Sequence, residues 1–341
     1  MAQGTQQRRS DVVILSLMQP GDFTQNLHRG GVVSVIAMLH QSCSRLRIRR
    51  TICDMYRCLF GVLLISLCAA GLAQKPQLPA SDELAAIAIR GKLLYEYDQA
   101  AWQSTDAVQK VDMPKGAIDR YVAQKTESGW TVMWGRFTQS RDKFLIAYEA
   151  IQSESPEVFT VKKHEPPLED TGFYFHAALA IATARQEFHG EQRPYNMAVL
   201  PADKGGLYVY ILPAQTDEGV YPVGGDIRYL ISGDGLNIVS KRRMHQDIIN
   251  FTIRNDSTYS LHTHILSDTP EDSDVFDVLA RRPLIPEYIF TCNFTYKVTP
   301  EATVEAVEAK ACGKVCEDYV AKLPSFQAFR KAGCPGMAGI P

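Results

Sequence analysis

The sequence predicts an α+β protein. Helical patterns open near residues 81, 173 and 271, while runs rich in aromatic and β-branched residues cluster between them, joined by polar or Gly-containing turns. Strands and helices do not alternate in the βαβ manner of a parallel sheet. No internal repeat is visible.

Each element has its own signal. Ser81-Asp82-Glu83 opens the first helix, with Ser81 as the expected cap and the two acids at the positive end of the helix dipole. Leu84, Ile87 and Ala88 begin an apolar stripe that Leu94 and Tyr95 extend towards Trp102. Gly91 falls on that stripe and predicts a bend there. Strands are expected over 130–137, 143–151 and 157–162, and the Pro-Pro stretch 164–170 reads as a linker.

Residues 173–188, rich in alanine, form the next expected helix. Residues 195–200 and 207–212 flank Ala202-Asp203-Lys204-Gly205-Gly206 as a hairpin, and 226–232 with 236–240 form a second around Gly233-Asp234-Gly235. A strand over 257–266, a helix over 271–281, a strand over 287–298 and a helical tail from Pro300 complete the chain.

The chain has 341 residues, 45% hydrophobic and 22% charged, values that exclude disorder and fibrous repeats and suggest about two domains. Residues 1–73 carry 8 Lys+Arg against 3 Asp+Glu, a net +5; residues 74–341 carry 28 against 35, a net −7. An acidic body argues against nucleic acid as partner.

Residues 58–73, CLFGVLLISLCAAGLA, are an uncharged apolar run, short for a membrane span and suited to a secretory signal. Gly71 and Ala73 fit the small positions before cleavage, giving a mature start at Gln74. Met55 opens a short positive region, so residues 1–54 read as an upstream, non-native extension and 55–73 as the signal peptide. The alternatives are a signal anchor over 58–73, with the arginines at 45–50 held in the cytoplasm, and a lipoprotein signal ending at Cys68. All three export the body to a periplasmic or secreted location, with membrane contact only through this segment.

The expected mature chain keeps Cys292, Cys312, Cys316 and Cys334, read as disulfides in an oxidising compartment. Cys312 and Cys316 as half of a zinc site is the rival reading. The expected division is a small helix-plus-antiparallel-sheet domain over 74–165, a second α+β domain over 166–299 and a helical, Cys-containing tail over 300–341.

No Walker loop, dinucleotide fingerprint, nucleophile elbow or H-E-x-x-H helix is present. The informative segment is His262-Thr263-His264 followed by Pro270-Glu271-Asp272-Ser273-Asp274. Side chains two apart on a strand share a face, so His262 and His264 can meet one metal ion. The loop then returns Asp274 as a third ligand. Two histidines and a carboxylate leave one tetrahedral position for water, the arrangement of a catalytic zinc.

This spacing resembles the JAB/MPN family of zinc metalloproteases, over roughly residues 171–299. The resemblance implies a JAB/MPN-like α+β domain, zinc as cofactor, a peptide or protein substrate, and an upstream glutamate as general base. Glu187 and Glu191 are the candidates for that glutamate, and Glu218 is a third. The family serine is replaced by Glu271.

Without a metal, His262 and His264 are polar residues facing solvent, and the acidic run is a helix start capped by Asp268 or Thr269. His245, in the basic run 241–245, reads as a surface residue able to meet an anion; His189 is a weak extra ligand and His176 a core or boundary residue. Two functions follow: an exported zinc-dependent peptide or amide hydrolase, or a non-catalytic periplasmic binding or scaffold module of the same fold.

Overall fold

Helix α1 spans Ser81–Val108 in the computed structural model, which describes residues 13–15 and 77–307. Asp82 and Glu83 lie in its first turn as expected, but the cap position is Ala80, and Ser81 is the first helical residue. The helix continues through Gly91. A Cβ there would stand 2.4 Å from the Asp272 carbonyl oxygen and 2.5 Å from Val275 Cβ. The missing side chain lets α1 cross a second helix at very close range, which explains a poor helix former on the buried stripe.

Four antiparallel strands follow in spatial order: β2 (Arg120–Thr126), β3 (Gly129–Phe137), β4 (Phe144–Gln152) and β5 (Phe159–Asp170). β2 adds to the expected set. The expected linker over 164–170 is instead the second half of β5, in which Leu168, Glu169 and Asp170 pair with β4 and residues 164–167 fall in a register shift. Pro166 and Pro167 are tolerated because they sit in that irregularity of an edge strand, where no ladder bond needs the missing N–H.

Helix α2 (Phe173–Glu187) buries Ala177, Ala178, Ala180 and Ala184. It leads into a sheet of order β10-β9-β7-β6, made of β6 (Tyr195–Pro201), β7 (Leu207–Pro213), β9 (Ile227–Ile231) and β10 (Ile238–Arg243). Both expected hairpins are present. β8 (Val220–Gly224) pairs separately with β11 (Ile248–Thr252), and neither was expected. One cluster of buried side chains joins Leu94 and Val132 of the first half to Ala180, Val209 and Ile231 of the second, across the expected boundary at residue 165.

The remaining sheet has the order β1-β12-β13-β14-β15. β12 (Ser260–Thr263) lies parallel to β13 (Glu287–Phe290), with helix α3 (Asp272–Ala280) as the crossover, so one βαβ unit does occur. The backbone of β1 (Val13–Leu15) pairs with the other edge of β12. The single strand expected over 287–298 is a hairpin of β13 and β14 (Thr295–Val298). Asp268 explains the break: its carboxylate accepts from Thr291 Oγ1, Asn293 N and Asn293 Nδ2, fixing a turn.

The expected tail helix begins instead as strand β15 (Val304–Val307), paired with β14. Cys312, Cys316 and Cys334 lie outside the described residues, as do residues 58–73. Among the described residues, no helix is long and apolar enough to cross a membrane.

Candidate metal centre

β12 is buried along its length, and His262 and His264 leave it on one face, each 2% exposed. Their Nε2 atoms stand 2.9 Å apart. The expectation that they share a face therefore holds, but the face is interior, not solvent. Helix α3 delivers Asp274 in its first turn, and the Glu271 N–H donates to Asp274 Oδ2 at 2.6 Å. Glu271 is the cap residue of this helix, so Pro270 precedes the helix instead of opening it. Asp274 Oδ1 lies 3.2 Å from His262 Nε2, and Oδ2 lies 3.3 Å from His264 Nε2.

A third histidine enters the cluster. His245 Nε2 lies 2.9 Å from His264 Nε2 and 3.2 Å from Asp274 Oδ1. The surface position expected for His245 is corrected, since the residue is 4% exposed. The basic run divides by strand alternation: Lys241 and Arg243 are exposed, and past the end of β10 the chain turns inward with Met244 and His245 buried. Gly224 and Gly225 make room for that turn. At φ +85° Gly224 approaches Asp247, and a Cβ on it would come within 2.2 Å of the Asp247 carbonyl oxygen.

Each ring is oriented by an oxygen on its other nitrogen. Nδ1 of His245 faces Asp226 Oδ1 at 2.8 Å, Nδ1 of His262 faces Glu287 Oε1 at 3.0 Å, and Nδ1 of His264 faces the Thr269 carbonyl oxygen at 3.1 Å. At His245 and His264 these contacts place the proton on Nδ1 and aim the Nε2 lone pair at the centre, as metal-ligating histidines require, whereas His262 and Glu287 meet at ion-pair distance without hydrogen-bond geometry. Glu287 also lies 3.1 Å from Arg281 Nη1, and Arg281 Nη2 donates to Ser260 Oγ at 2.6 Å.

The electrostatics fit a cation. Burial disfavours charge on every member, yet the imidazoles hold the Asp274 carboxyl well below its ordinary range. Glu287 is likewise lowered to about 2 against its burial, by Arg281 and His262. At Asp277 burial with neighbouring carboxylates outweighs the opposing effect of His245 and pushes it well up. His245, His262, His264 and Asp274 offer four ligand atoms within 4.8 Å of one another and could hold a metal ion. Ligands 2.0–2.1 Å from a tetrahedral ion sit about 3.3 Å apart, against 2.9–3.3 Å for the contacts given above and at most 4.8 Å for any pair.

The glutamates expected as bases are elsewhere. Glu187 is exposed and ion-paired with Lys241 at 3.7 Å, and Glu191 is exposed at the turn before β6, its N–H bonded to the Tyr195 hydroxyl. Neither joins the cluster, nor does exposed Glu218. His189 is exposed and bonded to the Glu187 carbonyl, and His176 is half-buried. Glu271 lies three residues before Asp274 and reaches it through its N–H. Burial pushes Glu271 up to about 7 while Arg242 holds it by Nε and Nη2. Sequence reasoning missed His245, Asp226 and Glu287; the Gly224-Gly225-Asp226 run was the available signal for a tight, buried corner.

No protein-family model, curated protein or solved structure matches this chain.

Proposed function

We propose that this chain is an exported zinc protein of JAB/MPN-like organisation, in which His245, His262, His264 and Asp274 hold one ion in a closed, structural centre. The supporting observation is the fourth protein ligand. A catalytic zinc keeps a position for water, whereas a structural one is surrounded by four protein groups. Three imidazoles and one carboxylate suit zinc. The ligands come from the corner after β10, from β12 and its C-terminal end, and from α3, so a shared ion cross-links separate parts of the fold. The chain then acts as a binding or scaffold module.

A second reading, zinc-dependent peptide or amide hydrolysis, is favoured by one observation. Glu271, standing where the resembled family has serine, borders a cavity and touches Asp274 through its N–H. Under this reading Glu271, not Glu187 or Glu191, is the carboxylate positioned to take a proton.

Metal analysis of the purified chain, with a peptidase assay alongside, separates the two. The structural reading expects about one zinc per chain, lost in both His245→Ala and His262→Ala, and no turnover. Zinc-dependent hydrolysis abolished by Glu271→Gln favours the second reading. Protein purified without chelator and free of metal overturns both.

A further inference from the structure

The ladder between β9 and β10 pairs Arg228 with Arg242, so two guanidinium groups leave one sheet face side by side. β7 extends the row, with Tyr210 opposite Arg228 and Tyr208 opposite Leu230. Like charges so placed repel and need compensation. It comes from the two acids at the start of α3. Arg242 donates to Glu271, and Arg228 Nη1 donates to Asp272. Asp272 also accepts from Arg90 Nε at 3.0 Å and from the Tyr210 hydroxyl at 2.7 Å. Three guanidinium groups therefore share two carboxylates, and one positive charge is left over.

That excess borders a space. A cavity of about 420 Å³ lies against this row, lined by Arg228, Arg242, Tyr208, Ser240, Leu266 and Glu271. Its volume falls within the roughly 300–1,000 Å³ of small-molecule sites. The Arg228 and Arg242 side chains are 15% and 37% exposed, partly desolvated yet still open. Each is anchored by one edge. A guanidinium carries five N–H donors, and Arg242 spends Nε and Nη2 on Glu271, leaving Nη1. Arg228 Cζ sits 4.8 Å over the Tyr208 ring, which steadies its fork. Anchored, partly buried arginines with donors to spare suit the bidentate capture of an oxyanion.

We propose that this cavity binds a small molecule through a carboxylate or phosphate group, received by Arg228 and Arg242. The site goes beyond the metal centre: none of His245, His262, His264 and Asp274 lines it, and its arginines are held by acids outside the ligand set.

The test is titration of the purified full chain with inorganic phosphate and with glutarate, against chloride at equal ionic strength, followed by calorimetry. Saturable binding of either is expected; phosphate alone assigns a phosphate-bearing ligand and glutarate alone a carboxylate. Ser240→Glu brings a carboxylate to the lining from an exposed strand position. It should weaken binding at least tenfold with melting temperature and metal content unchanged. Arg242→Gln should abolish binding, with metal content and melting as controls for the released Glu271. Anions binding no better than chloride, or equally well to Ser240→Glu, would overturn the proposal.

Discussion

The Nε2 atoms of His245 and His264 stand 2.9 Å apart, while Nδ1 of each ring faces an oxygen, Asp226 Oδ1 at 2.8 Å and the Thr269 carbonyl at 3.1 Å. A carbonyl only accepts, so His264 carries its proton on Nδ1 and presents a bare Nε2. The Asp226 carboxylate does the same for His245. Two bare nitrogens at this distance repel unless a cation lies between them, either a proton added to His245 or a metal ion.

His245 should therefore matter as much as the histidines of the H-x-H pair. His245→Ala is expected to weaken zinc binding by more than the about 10–100-fold that losing an outer partner costs. Competition with a chromogenic chelator measures it. Wild-type affinity in His245→Ala would return the site to three ligands.

The outer carboxylates should act through the rings they orient. Asp226→Asn and Glu287→Gln are each expected to lower zinc affinity about 10–100-fold with all four ligands intact. Glu287→Gln also strands the fully buried Arg281 charge, so a further loss of about 3–5 kcal/mol in stability is expected. Denaturant melts of both variants, with and without zinc, separate the effects.

Zinc must displace protons. Burial alone would lower the pKa of every ring, but Asp226 and Asp274 hold His245 well above its ordinary value. Against the same burial, Glu287 and Asp274 raise His262 to about 9, whereas burial keeps His264 low. At neutral pH the metal-free cluster thus holds protons on His245 and His262, and binding one zinc should release about two. Calorimetry in buffers of differing ionisation heat counts them, and a count near zero contradicts this charge assignment. The pH signs are opposite. Because its folded pKa is raised, His262 stabilises the metal-free chain below about pH 6.5, and that contribution is lost as pH rises through about 9. Zinc affinity increases over the same range.

Gly91→Ala tests the close crossing of α1 and α3. On helix propensity alone alanine gains about 1 kcal/mol over glycine. The added Cβ, however, meets Asp272 backbone and Val275 at 2.4 and 2.5 Å. Overpacking of this kind costs about 1–3 kcal/mol, so net destabilisation is expected. A higher melting temperature for Gly91→Ala would contradict the crossing.

On export, a chain begun at Met55 should be processed to a new N-terminus near Gln74 in a secreting cell. N-terminal sequencing of the accumulated protein decides between cleavage and a retained anchor.

Local spacing made three of the four ligands legible. His262 and His264 are two apart on a strand, and Asp274 returns through one short loop onto a helix start, so periodicity and turn chemistry bring them together. The paired hairpins of β6–β7 and β9–β10 were legible for the same reason, each being closed by its own turn residues. His245 was not. Its sequence neighbours are Arg243 and Met244, and only the packing of the corner after β10 against Gly224 and Gly225 buries it beside a strand from another sheet. Glu187 and Glu191 failed the opposite way: chain order suggested them, but the end of α2 leaves both at the surface. Gly91, a weak point by helix propensity, became a contact because a second helix crosses there. Contacts that close within a dozen residues are written in local pattern. Those that close over longer separations depend on which surfaces the whole chain buries, and that is decided only in the folded molecule.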